Sequence, residues 1–245
     1  MFIVFKKYSK ILHQSSMRDF SSITKLYHFI KITFILNYDN LKDNLIKNDL
    51  ELNMESIQPN DLIYGETYHD SIIADSFLPL HFDNLTFINC TFEQTDFSHS
   101  DLLDCHFTNC DFANCSFEES AIYRSKFKKC RLTGTNFSEC RFKDSLIDAC
   151  DARYATFSFS KTTHFTFENT NLSESLLQQM THHKDLIFDT CDLEGADFTQ
   201  TNLDGINLAN SEFEQLLFST ELMRGCSINA GQAAIMLHLL GIQIQ

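Results

Sequence analysis

Proline occurs only twice in 245 residues, at Pro59 and Pro79. Beyond residue 79 nothing of that kind interrupts a hydrogen-bonded ladder. Long apolar runs are missing too. The stretch from Tyr27 to Leu36 is short and broken by Lys31, so it does not span a membrane. The Phe2-Ile3-Val4-Phe5 run before Lys6 is too short for a signal-peptide core. Nine cysteines include no Cys-x-x-Cys pair. Bases are scarce: 19 Lys and Arg stand against 33 Asp and Glu, a formal net charge of −14. A chain of that sign repels nucleic acid rather than binding it. No nucleophile stands with a base and an orienting partner, so neither an enzyme nor a cofactor is expected.

What the sequence has is a period of five. From Phe82 to Leu177 every fifth residue is apolar with almost no exception: Phe82, Phe87, Phe92, Phe97, Leu102 and onward. A second run, Phe188 to Ile228, continues one residue out of phase. Five is neither the helical 3.6 nor the strand period of two. Two residues before each centre sits a small side chain, as in Cys90, Thr95, Ser100, Cys105 and Cys110. The unit small-x-large-x-x sends two side chains inward and three outward. One unit cannot bury its own centre, so units must coil and stack.

Stretches such as Cys110-Asp111-Phe112-Ala113-Asn114, Gly134-Thr135-Asn136-Phe137-Ser138 and Ala196-Asp197-Phe198-Thr199-Gln200 resemble the pentapeptide-repeat motif A-(D/N)-(L/F)-x-x. The resemblance covers residues 78–228. It implies an all-β fold, a right-handed quadrilateral β-helix with four units per coil, so that residues twenty apart stack. Cys90, Cys110, Cys130 and Cys150 then share one column. At a spacing of about 4.8 Å, some seven and a half coils make a rod about 36 Å long.

All nine cysteines, Cys191 and Cys226 included, fall at the small inward position and read as core spacers of a reducing, cytoplasmic protein. Stacked backbones do not gather sulfurs at the roughly 2.3 Å that zinc needs, and no metal is expected. Leu177 to Phe188 is eleven residues rather than ten, which places a bulge within 178–187, beside His182 and His183.

Both ends lack the repeat. Residues 1–53 carry a net +3 and no five-residue register. They are expected to be a leader, either upstream translation ahead of a start at Met54 or disordered; a mitochondrial presequence would prefer Arg to Lys. Residues 54–77 are expected to cover the first coil. At the other end, residues 229–245 read as a capping and dimerisation segment. Asn229 is an N-cap, Ala230 to Leu240 a short helix, and Gly241 its stop. The helix is apolar around most of its circumference, so it must be buried partly on the last coil and partly on something else. A two-fold homodimer covers both open ends at once, with Gln232, Ala233, Met236, Leu237, Leu240, Ile242 and Ile244 at the interface; a monomeric cap is the competing reading.

This tail, in Gln232-Ala233, Leu237 and Leu240-Gly241-Ile242, resembles that of the Qnr-type pentapeptide proteins, which protect DNA gyrase from quinolones. Cys130 to Phe137, Cys150 to Phe159 and Cys191-Asp192-Leu193 resemble the Gram-positive branch. The resemblance implies tail-to-tail dimers and a partner in DNA gyrase or topoisomerase IV. The charge fits. Residues 54–245 carry 28 acids and 11 bases, net −17, against roughly 21 phosphates on a duplex of rod length. Carboxylates would occupy the basic saddle where a topoisomerase holds DNA. Candidate contacts are Asp111, Glu118, Glu119, Asp151, Asp189, Asp192, Glu194, Asp197, Asp204, Glu212 and Glu214, with the C-terminal half favoured because Arg124, Arg131 and Arg141 interrupt the middle coils. Two plainer readings stay open: acidity that only maintains solubility, and a scaffold repeat protein with another partner.

Overall fold

In a computed structural model the described residues are 56–242. The chain divides into two units, Met1–Asn53 and Met54–Gln245. Expectations for residues 1–53 and for Ile244 lie outside the described residues; all that follows concerns the second unit.

The backbone winds into a parallel β-solenoid of about eight turns, closed by one short helix. Residues twenty apart pair in register: Arg141 lies over Ala121 and under Lys161, and Phe107 lies between Phe87 and Phe127. Four faces follow from four centres per coil. Face A carries Phe82, Leu102, Ile122 and Phe142; face B, Phe87, Phe107, Phe127 and Ile147; face C, Phe92, Phe112, Leu132 and Ala152; face D, Phe97, Phe117, Phe137 and Phe157. Faces A and B form true strands, such as Arg141–Asp148 and Lys161–Glu168, which each cross both faces. Faces C and D are joined mostly by single bridges, such as Asp111 to Arg131 and Asn136 to Thr156, with short strand pairs at Ile72–Ile73 with Thr91–Phe92 and at Ala196–Phe198 with Leu216–Phe218.

The centres stack on their own kind. Rings of Phe97, Phe117, Phe137 and Phe157 follow one another with centroids 4.7, 5.1 and 5.1 Å apart and planes within 16° of parallel. Each ring also meets neighbouring columns edge-on, as Phe107 meets Phe112 at 86°. Offset-parallel and edge-to-face are the two favoured aromatic geometries, so one core uses both.

The small inward position has a second job beyond spacing. Its backbone N–H is buried and needs an acceptor, and its side chain needs a donor or acceptor role. Ser100 N–H donates to Ser120 Oγ at 3.0 Å, and Ser120 Oγ donates to the carbonyl of Phe97 at 2.9 Å. Cysteine does the same more weakly: Cys130 N–H meets Cys150 Sγ at 3.3 Å, and Cys150 Sγ reaches the Phe127 carbonyl at 3.4 Å. Cys90, Cys110, Cys130, Cys140, Cys150 and Cys191 are therefore links between coils as well as spacers. Eight of the nine are buried, and only Cys226 is part-exposed. Burial pushes the thiols of Cys105 and Cys140 up to about 12 and that of Cys115 up to about 11.

The repeat is broken in several places. Face A has Thr162 where a large centre belongs, and the small position of face B has Phe165. Phe165 stacks on Phe142 at 4.2 Å and 10°, filling the volume that Thr162 leaves. One coil further, Met180 is buried and the centre His182 is only half-buried. The extra residue follows directly: Thr162 pairs with His182, but Phe165 pairs with Leu186, so the insertion lies in 183–185 within the expected 178–187. At the N-terminal end the ladder reaches further back than residue 78. Thr67–His69 and Ile72–Ile73 pair with the coil above at an offset of nineteen, which hides them from a strict five-residue count.

The helix α1, Ala230–Leu239, begins with a reciprocal capping box in which Asn229 Oδ1 accepts from Gln232 N–H and Gln232 Oε1 accepts from Asn229 N–H, both at 2.9 Å. It ends in a Schellman turn with Gly241 at φ +75°, where Gly241 N–H reaches His238 and Ile242 N–H reaches Leu237. Gln232 Nε2 donates to the carbonyls of Leu208 and Ser211, tying the helix to the last full coil.

Two outcomes are expected. Phe165→Ala lowers stability by about 3–5 kcal/mol, as for a buried ring; a Thr162→Phe, Phe165→Ser double variant, which restores the regular repeat, recovers most of that loss in denaturant unfolding. Native protein at pH 8 treated with iodoacetamide is alkylated at Cys226 alone, whereas unfolded protein is alkylated at all nine thiols, read by mass spectrometry.

Candidate functional site

The outward acids have a local origin. On faces C and D the residue just before the centre turns its side chain back onto the backbone two residues later. Asp111 Oδ1 accepts from Ala113 N–H at 3.0 Å, Asp192 Oδ1 from Glu194 N–H at 3.1 Å and Asp197 Oδ1 from Thr199 N–H at 2.8 Å. Asn136 and Asn171 make the same bond, each at 2.9 Å, with Ser138 and Ser173. Asparagine thus satisfies this turn as well as aspartate. The turn explains a short carbonyl-bearing side chain; it does not explain the charge.

The four faces differ in charge. Arg141, Lys143 and Lys161 lie on face A, Lys126 and Lys128 on face B, with Arg124 and Lys129 at corners beside them. Face C carries Arg131 and Arg153, and both are clamped in two-point pairs. Arg131 donates to Asp111 at 2.9 and 2.6 Å, and Arg153 to Asp151 at 2.8 and 2.8 Å. Face D carries no Lys or Arg on any described coil.

The candidate acids therefore fall into groups. Asp192, Glu194, Glu212 and Glu214 come together on face C over two adjacent coils, against the start of α1. Asn229, Gly231, Gln232 and Ile235 complete a shallow cleft with them. Within it Glu194 is held, because its Oε2 accepts from Glu214 and Gln215 N–H at 2.6 and 3.1 Å. Asp111 and Asp151 lie lower on face C and are occupied by arginines. Glu118 and Asp197 belong to face D, and Glu119 lies at its edge, 3.5 Å from His99. Asp189 sits on face B, bonded to Asn210 Nδ2 at 3.0 Å, and Asp204 on face A; neither joins the others.

The guanidinium of Arg131 holds the Asp111 carboxyl below its ordinary value, and Arg153 does the same for Asp151. Arg124 and Lys128 act likewise on Asp104 and Asp148 from the adjacent coil. A carboxyl lowered in the folded state stabilises above its unfolded value, about 3.9, and that contribution disappears as pH falls through the lower folded value.

At the C-terminal end the structure separates the tail residues. Gln232 and Met236 are buried in the chain's own cap, whereas Ala233, Leu237, Leu240 and Ile242 are exposed. Reading by register passed over four exposed apolar residues on or beside face D: Tyr154, Phe159, Leu176 and Leu217. Their signal was available, since each is apolar at an outward position. Among the described residues no group of three or more His, Cys, Asp or Glu could hold a metal ion, and no helix is long and apolar enough to cross a membrane.

A thermal melt between pH 5 and pH 3 should lose stability from these coil-to-coil pairs. Replacing Asp104, Asp111 and Asp148 together with Asn should flatten that loss, while leaving the pH 7 fold intact by circular dichroism.

Comparison with known proteins agrees with the repeat geometry. Residues 100–177 match the model of a pentapeptide repeat region, and residues 191–215 that of pentapeptide repeats in eight copies. No curated protein matches the chain. Among solved structures, trypsin-treated QnrB1, a plasmid-mediated fluoroquinolone resistance protein, is 21% identical, with 73% of this chain and 98% of that chain covered and a TM-score of 0.37. Full-length QnrB1 is 21% identical over 72% and 97%, TM-score 0.35. HetL of Nostoc sp. strain PCC 7120, involved in heterocyst differentiation regulation, is 12% identical over 77% and 92%, TM-score 0.29. The stacked five-residue units at residues 100–177 and 191–215 are pentapeptide repeats.

Proposed function

We propose that this protein is a DNA mimic that binds a type II topoisomerase, DNA gyrase or topoisomerase IV, in the cytoplasm and protects it from quinolones. It acts by binding, not by catalysis. The observation that carries this reading is the charge of faces C and D. Over all the described coils they offer no base outside an ion pair except Lys129 at their margin, and the acids exceed what their turns require. A stiff, one-signed surface of duplex-like length suits a basic saddle built for DNA. The cluster of Asp192, Glu194, Glu212 and Glu214 is the part of it richest in charge. The tail's likeness to the Qnr type supports the same partner.

Two rods joined at their C-terminal ends complete the proposal. The exposed apolar residues of α1 and the turn after it, Ala233, Leu237, Leu240 and Ile242, would meet their counterparts across a two-fold axis. Gln232 and Met236 would support that surface from within.

Immobilised full-length protein should retain gyrase or topoisomerase IV subunits at low salt, and gyrase should keep supercoiling at ciprofloxacin concentrations that otherwise stop it. Absence of binding at low salt ends the proposal. Light scattering should give twice the chain mass for the wild type and the single mass for Leu237→Asp with Leu240→Asp. Loss of topoisomerase binding from an intact dimer, after acid substitutions elsewhere, would point instead to a scaffold with another partner.

A further inference from the structure

Face D breaks its own rules in one region. Its outward column reads Asp96, Ser116, Asn136, Thr156, Leu176, Asp197, Leu217, and all but the two leucines are short polar residues. A leucine there forfeits the side-chain bond to the turn. Leu176 is 41% exposed and Leu217 51%. Tyr154 and Phe159 occupy the two corners that bound face D on the coil below Leu176, both left-handed, at φ 60° and 62°. Bulky residues disfavour that conformation. Neither ring is buried in return: Tyr154 is 62% exposed and Phe159 50%. Left-handed corners recur after almost every unit, so what sets these four residues apart is apolar bulk left exposed, and all four lie on or beside one face. Large apolar side chains gathered on one face and left exposed mark an interaction surface.

We infer that Tyr154, Phe159, Leu176 and Leu217 form an apolar docking ridge for a protein surface that presents apolar side chains within a basic field. The charge around the ridge selects that occupant. Asp197 stands between the two leucines, its Oδ2 accepting from Gln178 Nε2. Asp192, Glu194, Glu212 and Glu214 line face C on neighbouring coils, and face D has no base to repel a cationic partner. The inference rests on the proposed function and deepens it: the topoisomerase would be held by apolar contact as well as by carboxylates. A DNA duplex offers no such ridge, so this complex should survive salt that releases DNA.

The probe is DNA gyrase, titrated with the full-length chain from about 50 to 200 mM salt, the range over which phosphate-type contacts lose most affinity. Leu176→Ser with Leu217→Ser should weaken binding about tenfold at every salt concentration, or 1.4 kcal/mol, with the salt slope unchanged. Asp192→Asn with Glu212→Gln should instead make the slope shallower. Leu176→Lys, which adds charge of the wrong sign without touching the core, should abolish binding. If wild type binds gyrase and both leucine variants bind equally well, the ridge is wrong and the proposed function stands. If wild type does not bind gyrase, the proposed function fails first. A halved assembly mass in the leucine-to-serine variant would assign the ridge to a second copy of the chain and also overturn the inference.

Discussion

The described coils depend on one constraint: each residue must suit its partners one coil before and one coil after, for most of the rod twenty positions away. Parallel, in-register stacking sets a phenylalanine on a phenylalanine and a buried hydroxyl on a buried amide. Burial of the centres supplies most of the driving force, but the stack gives it direction. A side chain of the wrong size cannot be hidden locally. It must be compensated by its neighbours, as Phe165 compensates Thr162.

The same constraint tolerates what a free chain would not. The residue two places after almost every centre adopts a left-handed conformation, including Arg124 at φ 50°, Lys129 at 52° and Thr190 at 54°. Each departs from preference by about 1–2 kcal/mol. They persist because the ladders on either side of the corner fix it from both directions.

This explains what could be read from the sequence. The five-residue period, the inward pair, the position of the extra residue and the helix with its caps were all legible, because each rests on side-chain size or a short capping pattern. The corners were not, since composition there is nearly free: Asn, Glu, Arg, Lys, Phe and Thr all occupy them. The coil containing Thr67–His69 was hidden by an offset of nineteen. The sequence named the outward acids, but it did not show which were taken up. Asp111 and Asp151 point outward as expected, yet both belong to arginines, whereas Arg141 lies on another face and interrupts nothing on C or D. Sorting by face, not by position along the rod, separates the acidic sides from the mixed ones. It also draws Asp189 and Asp204 away from the cluster they were grouped with.

The functional proposal follows from that sorting. A turn needs a carbonyl oxygen and would accept asparagine; aspartate recurs, on faces stripped of free bases, beside a cap that exposes apolar side chains. The account therefore stands on exclusion: the acidic faces and a DNA duplex should compete for one basic saddle. The most direct measurement is a three-component titration, in which fluorescent duplex bound to gyrase is challenged with the full-length protein. The account expects displacement of the duplex with matching gain of protein on the enzyme. Stable complexes holding duplex and protein together at saturation would contradict it.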